Sequence, residues 1–254
     1  MKKRIITGLA LFVAFLVLAV LDIFWLNFLI FAAILVVAVL ESLNLYGIKE
    51  RSLVIIALIF FSIIPFVSGI QDIFKIIILN LVVVASVLAY IKSDNLKFIL
   101  PFIYPVAPIF MLFGVYQSYG ISALFWLIFS VIASDSGAYF VGKFFGKRSF
   151  SPSSPNKTLE GVIGGLIIGI AFGVISGLFL MDMAFVIMVL CSLSVVIFSI
   201  FGDLFESYLK RLAGVKDSGV ILGEQGGILD RMDSFIFSAP TAYLLLTRIC
   251  QLGV

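Results

Sequence analysis

Histidine is absent from the 254 residues. That removes imidazole acid–base catalysis and histidine-ligated metals. Cysteine is nearly absent: Cys191 and Cys250 lie far apart in apolar stretches, too few for a zinc site or a disulfide framework. Any metal would therefore rest on oxygen ligands, which favours magnesium-like ions. Charge is also scarce, at 12% of residues against 63% hydrophobic. Soluble domains carry about a quarter charged and about half apolar residues. A soluble domain of this length cannot hide so much apolar surface. No soluble domain, long linker or internal repeat is visible. No small-residue cleavage site precedes Asp22, so Met1-Lys2-Lys3-Arg4 reads as the head of a retained helix rather than a removed signal.

What is present is a series of apolar runs, and a crossing needs roughly 20 residues each. The runs are continuously apolar rather than alternating, which argues against a closed barrel. The expected fold is all-α, a polytopic membrane protein of about nine transmembrane helices. They fall near 5–21, 23–43, 52–70, 73–91, 98–116, 121–142, 159–180, 184–208 and 228–250. The first two are separated only around Asp22, so one long element with a re-entrant piece is an alternative. Residues 1–116 read as a transmembrane scaffold and 117–254 as a transmembrane catalytic region.

Nine spans put the N-terminus and the even-to-odd loops on one side. That side receives Lys2, Lys3, Arg4, Lys49, Arg51, Lys92, Lys97, Lys143, Lys147, Arg148, Lys157, Lys210, Arg211, Lys216 and Arg231, while the other receives Lys75 and Arg248. The positive-inside rule then makes the N-terminus and the basic loops cytoplasmic. A multi-pass protein of the inner (plasma) membrane is expected, with its active site on that face. One helix carries glycines every fourth residue, at Gly161, Gly165, Gly169, Gly173 and Gly177. They line one face, which suits close packing inside the bundle or at a dimer contact.

The acidic residues of the C-terminal half concentrate on the basic side. An ionisable group at membrane depth costs about 2.5–3.5 kcal/mol on insertion scales, so it persists when paired, wet or ion-bound. Asp135 and Ser136 sit within an apolar run and read as a polar wall of a cavity. The loop Ser149 to Gly161 leads into a helix that Thr158 or Asn156 can cap. With Lys157 beside that helix start, the loop reads either as an ordinary turn or as an anion site. Asp203, Glu206, Ser207 and Lys210 recur at i, i+3, i+4 and i+7 and share a helix face; Glu206 and Lys210 also suit a simple ion pair. Lys216 and Asp217 precede a glycine-rich loop, Gly223 to Gly227, that opens a helix bearing Asp230 and Asp233 at i, i+3. Those carboxylates are spaced for divalent ions, and the glycines would let backbone amides approach phosphates. Acids for a metal and bases for phosphate thus converge, and the natural chemistry is metal-assisted phosphoryl or nucleotidyl transfer.

These residues carry a family resemblance. Ser207-x-Leu209-Lys210-Arg211, Lys216-Asp217-x-Gly219 and Leu222-Gly223-x-Gln225-Gly226-Gly227-Ile228-x-Asp230-Arg231-Met232-Asp233 resemble the signature of the phosphatidate cytidylyltransferases (CDP-diacylglycerol synthases). The upstream stretches at 135–139 and 154–161 also resemble that family. One departure is Gln225, where the family usually has histidine; a role as phosphate hydrogen-bond donor survives that change. The resemblance implies that CTP and phosphatidic acid give CDP-diacylglycerol and pyrophosphate. It also implies Mg²⁺ (and a second cation), membrane lipids and a homodimer as partners, and no nucleic acid. On this chain it makes Asp203, Asp230 and Asp233 the metal ligands. Lys157, Lys210, Arg211, Lys216 and Arg231 would neutralise phosphates. Asp135, Ser136 and Asp217 would shape the pocket. Thr158, Ser207, Gln225, Gly226 and Gly227 would complete substrate binding. Two competing readings are a CTP-dependent lipid kinase and a cation-coupled transporter. The two-helix Asp array of CDP-alcohol phosphotransferases is not found.

Overall fold

A computed structural model describes residues 21–67 and 70–252. The run expected at 5–21 lies outside the described residues, apart from Leu21. Seven helices follow in order: α1 (Phe24–Tyr46), α2 (Leu53–Ile63), α3 (Ile70–Tyr90), α4 (Ala107–Phe145), α5 (Leu159–Leu180), α6 (Phe185–Leu212) and α7 (Leu229–Leu252). Two short strands, β1 (Ser149–Ser151) and β2 (Ser154–Thr158), form the sheet found among the described residues. Among the described residues, five stretches are long and apolar enough to cross a membrane: Phe24–Tyr46, Asp72–Tyr90, Leu96–Phe145, Leu159–Leu180 and Phe185–Leu212. The protein is an all-α polytopic membrane protein.

Local chemistry explains where the elements stop. α1 ends at Gly47, whose φ of 69° is left-handed; its N–H meets the Asn44 carbonyl, and the Ile48 N–H returns to the Leu43 carbonyl at 2.8 Å. These paired bonds satisfy the last carbonyls of the helix. α2 is shorter than the expected 52–70 span. Pro65 lies in a 3-10 turn, Ile64–Phe66, that ends it, because proline cannot continue the hydrogen-bond ladder. The expected boundary between 98–116 and 121–142 appears as a break inside α4. There Gly120 adopts φ 75°, ψ −177°, which a side chain would resist.

α4 to α7 form the tight part of the bundle, with α4 against α5 the most extensive pairing. The glycine stripe of α5 explains it. A methyl on Gly161 would lie 2.7 Å from the Ala138 carbonyl oxygen, and one on Gly165 would lie 2.7 Å from that of Ser134. Both obstacles are backbone, so neither can swing aside. Methyls on Gly169 and Gly173 would lie as close to the side chains of Ser134, Ser130 and Ser192. The stripe is therefore spent within the chain, not on a dimer contact. Asp135 lies between the two carbonyls along the chain, and its Oδ1 accepts from Ser234 Oγ of α7 at 3.4 Å.

α1 stands on the other side of the bundle and touches α2, α4, the Phe102–Val106 segment and α7. Its buried residues include Asn27 and Glu41 among apolar neighbours. At the end of α1 away from Glu41, Asn27 Nδ2 donates to the Tyr116 hydroxyl at 2.8 Å, and that hydroxyl donates to Asp22. The remaining exposed apolar side chains, such as Ile163, Ile167 and Phe179 of α5, suit contact with lipid.

Replacing Gly165 with alanine is expected to destabilise the protein by about 1–3 kcal/mol, because the added methyl must push α4 away. Thermal unfolding in detergent should show a lowered midpoint, and an unchanged midpoint would contradict the packing described.

Candidate active site

The site is assembled from three helix ends and one hairpin. Between α4 and α5 the chain forms the tight β1–β2 hairpin, with Ser151 opposite Ser154 and Ser149 opposite Thr158. Sequence reading takes 149–158 as a Ser/Pro loop; the hairpin turns at Pro152-Ser153, where proline's fixed φ favours a turn. Thr158 then caps α5, its Oγ1 accepting from the Gly161 N–H at 3.1 Å. Glu160 Oε2 accepts from the amides of Lys147 and Arg148, at 3.0 and 3.2 Å, and ties the hairpin's far end back. The result presents Lys157 to α6, where its Nζ pairs with the Asp203 carboxylate.

On α6 the predicted polar face holds. Glu206 is fully buried, and Lys210 Nζ reaches it at 3.2 Å. Ser207 Oγ approaches Asp203 Oδ1 at 3.4 Å. Gly202 lets α7 come close, since a methyl there would collide with the Asp233 carbonyl. The two helices thereby bring Asp203 and Asp233 to one wall.

The glycine-rich loop does something other than expected. Asp230 Oδ1 accepts from Lys210 Nζ at 2.7 Å. Its Oδ2 accepts from the backbone N–H groups of Ser218 and Gly227, each at 2.8 Å. Gly226 sits at φ 82°, and a methyl there would lie 2.5 Å from Asp230 Oδ2. The Gly226 amide donates to the Gly223 carbonyl at 3.2 Å. The amides that the sequence offers to phosphate are thus taken by the protein's own acceptors. Arg231 is steadied by the Gln225 carbonyl, which accepts from Nε at 3.1 Å and Nη2 at 2.6 Å.

A cavity of about 450 Å³ lies at the meeting point. Of the residues expected from sequence, Asp135, Lys157, Thr158, Asp203, Asp230, Arg231 and Asp233 line it. Ser207 and Lys210 stand behind it through Asp203 and Asp230, and Gln225, Gly226 and Gly227 build the loop that holds Asp230 and Arg231. Ser136, Arg211, Lys216 and Asp217 are exposed and do not line it. The lining also includes Tyr139, Lys143 and Asn156, which the signature does not mark; Lys143 Nζ lies 5.8 Å from the Tyr139 ring centroid.

One residue of this hydrogen-bonded cluster escapes the sequence reading altogether. Glu41 of α1, 4% exposed, accepts from the amides of Ile228 and Leu229 at 3.0 and 2.9 Å. The signal was a lone acid within the apolar run Phe24–Tyr46, in a half read as scaffold.

The donors facing the cavity are carboxylates and cations. Among the described residues, no group of three or more His, Cys, Asp or Glu side chains is arranged to hold a metal ion. Magnesium needs no such cage; it commonly takes one or two carboxylates and fills its shell with substrate phosphates and water. The oxygen-rich wall at Asp203 and Asp233 fits that mode.

The chain resembles known proteins along most of its length. The model of the Cytidylyltransferase family matches residues 2–249. A protein of Helicobacter pylori (strain J99) named phosphatidate cytidylyltransferase is 40% identical over 249 residues, covering 96% of this chain and 91% of its own. A Bacillus subtilis protein of the same name is 46% identical over 132 residues, covering 51% of this chain and 49% of its own. A Mycobacterium bovis protein of that name is 40% identical over 146 residues, covering 56% and 48%.

Lys210→Met should destabilise the protein by about 3–5 kcal/mol, because it leaves the buried Glu206 and Asp230 carboxylates uncompensated. Thermal unfolding in detergent measures this; a wild-type midpoint would mean the pair is not held as described.

Proposed function

Because this chain belongs to the Cytidylyltransferase family, we propose that it is a phosphatidate cytidylyltransferase, joining CTP and phosphatidic acid to give CDP-diacylglycerol and pyrophosphate. The observation that carries the reading is a cavity in which acids and cations from α4, the hairpin, α6 and α7 converge. The names of the Helicobacter pylori and Bacillus subtilis relatives agree with it. A phosphate oxygen of phosphatidate attacks the α-phosphorus of CTP. The bond from that phosphorus to the bridging oxygen of the β-phosphate breaks, and pyrophosphate leaves in line.

Both reactants are polyanions, so their mutual repulsion is the main obstacle. Cations fixed at the cavity offset it. Lys157 and Arg231, at the cavity wall, take the phosphates. Lys210 acts from behind, through Asp230. Arg211 and Lys216 are exposed and contribute only to the long-range positive potential that gathers anions at that face. Asp135 and Thr158 shape the pocket beside the nucleotide. Asp203 and Asp233 would hold Mg²⁺, which would supply charge neutralisation for the reacting phosphates. Asp230, with both oxygens engaged by the protein, holds the loop and Lys210 in place. The membrane setting supplies the lipid, and the basic loops support a site that faces the cytoplasm from the inner membrane.

The direct test gives the purified protein labelled CTP and phosphatidic acid in lipid–detergent micelles. CDP-diacylglycerol is the expected product; a phosphorylated lipid with release of CDP would instead indicate a CTP-dependent lipid kinase. Asp203→Asn should lower turnover by about 10²–10³-fold, the typical loss when one charge-stabilising group is removed. Its elution in detergent should stay that of the folded protein, and wild-type turnover would remove Asp203 from the machinery. Excess EDTA should stop the reaction and added Mg²⁺ restore it; undiminished turnover in EDTA would exclude the metal.

A further inference from the structure

We propose that Glu41 is a positioning residue for the cytidylyl-transfer site: its carboxylate clamps the 217–228 loop and the start of α7 to α1. The role at the site rests on the function proposed above, whereas the clamp stands on geometry alone.

Glu41 sits near the C-terminal end of α1, about 180 residues before the loop it meets, and is 4% exposed. Oε1 accepts from the Ile228 N–H at 3.0 Å, and Oε2 accepts from the Leu229 N–H at 2.9 Å. Those amides open α7 and have no partner within the helix. The positive end of the helix dipole adds to the attraction for a carboxylate. Ser218 Oγ lies 3.0 Å from Glu41 Oε2 and 2.9 Å from Asp230 Oδ2, so one hydroxyl joins the two carboxylates. Asp230 in turn holds Lys210. Any displacement of Glu41 therefore passes to Asp230 and Lys210 through a continuous set of contacts.

Two glycines of the loop are explained by the same carboxylate. A methyl on Gly219 or on Gly227 would run into the Glu41 carboxyl group. Neither residue has a positive φ, so it is space for an incoming acid, not backbone freedom, that these positions require. The first turn of α7 carries Asp230, Arg231 and Asp233, all of which line the cavity. Fixing that turn fixes the three together.

The test uses the full chain with Glu41→Gln and Glu41→Ala, and with Ser42→Ala as a control. Ser42 is buried and donates only to the Val39 carbonyl of its own helix. Gln keeps one acceptor oxygen and the reach of the side chain, so it should rescue part of what Ala loses. Amide hydrogen exchange should speed up in peptides covering 217–230 and stay unchanged across α4 and α5. In the same variants kcat should fall, by about 10²-fold in Glu41→Ala as for a misplacement near 1 Å, with the KM for CTP nearly unmoved. Ser42→Ala should match wild type in both measurements. The positioning role is overturned by wild-type exchange at 217–230, by faster exchange with wild-type kcat, or by lost kcat with unaltered exchange. If Glu41→Ala does not fold, Glu41→Gln decides by the same criteria. If wild type makes no CDP-diacylglycerol, the proposed function fails, and the exchange arm still decides the clamp.

Discussion

A helix that begins inside a membrane protein has backbone N–H groups with no acceptor of their own and no bulk water to supply one. At the start of α7 that need is met by two carboxylates, Glu41 from α1 and Asp230 from the helix itself. Leaving a buried donor unmade costs about 1–3 kcal/mol, and several donors converge here. Ser218 bridges the two acids, and Lys210 balances Asp230 and Glu206. The glycines at 219, 226 and 227 keep this cluster dense enough to work. The catalytic wall is thus a by-product of satisfying one helix end: the residues that solve the hydrogen-bonding problem also point the next turn of α7 into the cavity.

Three cations of the site are held by protein acceptors. Lys157 pairs with Asp203, Lys210 with Asp230 and Glu206, and Arg231 with the Gln225 carbonyl. Isolated charges at this depth would be expensive, and pairing removes most of that cost. Under the proposed function, nucleotide phosphates would therefore compete with an acid for Lys157. The competition favours a multiply charged ligand, because a triphosphate brings more negative charge than the one carboxylate it displaces.

Much of this was readable from residue types and spacing. The continuous apolar runs at 159–180 and 184–208 could only be helices, and α5 and α6 lie close to those bounds. The i, i+4 spacing of Glu206 and Lys210 suits the ion pair they form, and of the two cap candidates, Thr158 and Asn156, it is Thr158 that caps α5. The glycine stripe announced a close helix neighbour but not which one; that depends on the carbonyls of Ala138 and Ser134, which carry no sequence signal. The 149–158 hairpin was hidden because its strands are too short and polar to show a period. Glu41 was hidden for a different reason: its partners are backbone amides far along the chain, and local pattern carries no trace of them. The use of the loop amides by Asp230 and Glu41, rather than by a phosphate, was equally invisible.

Synthesis runs from the N-terminus, so α1 is made and inserted long before α7 emerges. Glu41 must wait in the bilayer region as an acid whose donors do not yet exist. Its late capture by Ile228 and Leu229 makes completion of the last helix the event that relieves an early insertion penalty. A chain that stops before residue 228 leaves the Glu41 carboxylate without the Ile228 and Leu229 amides that hold it in the finished protein.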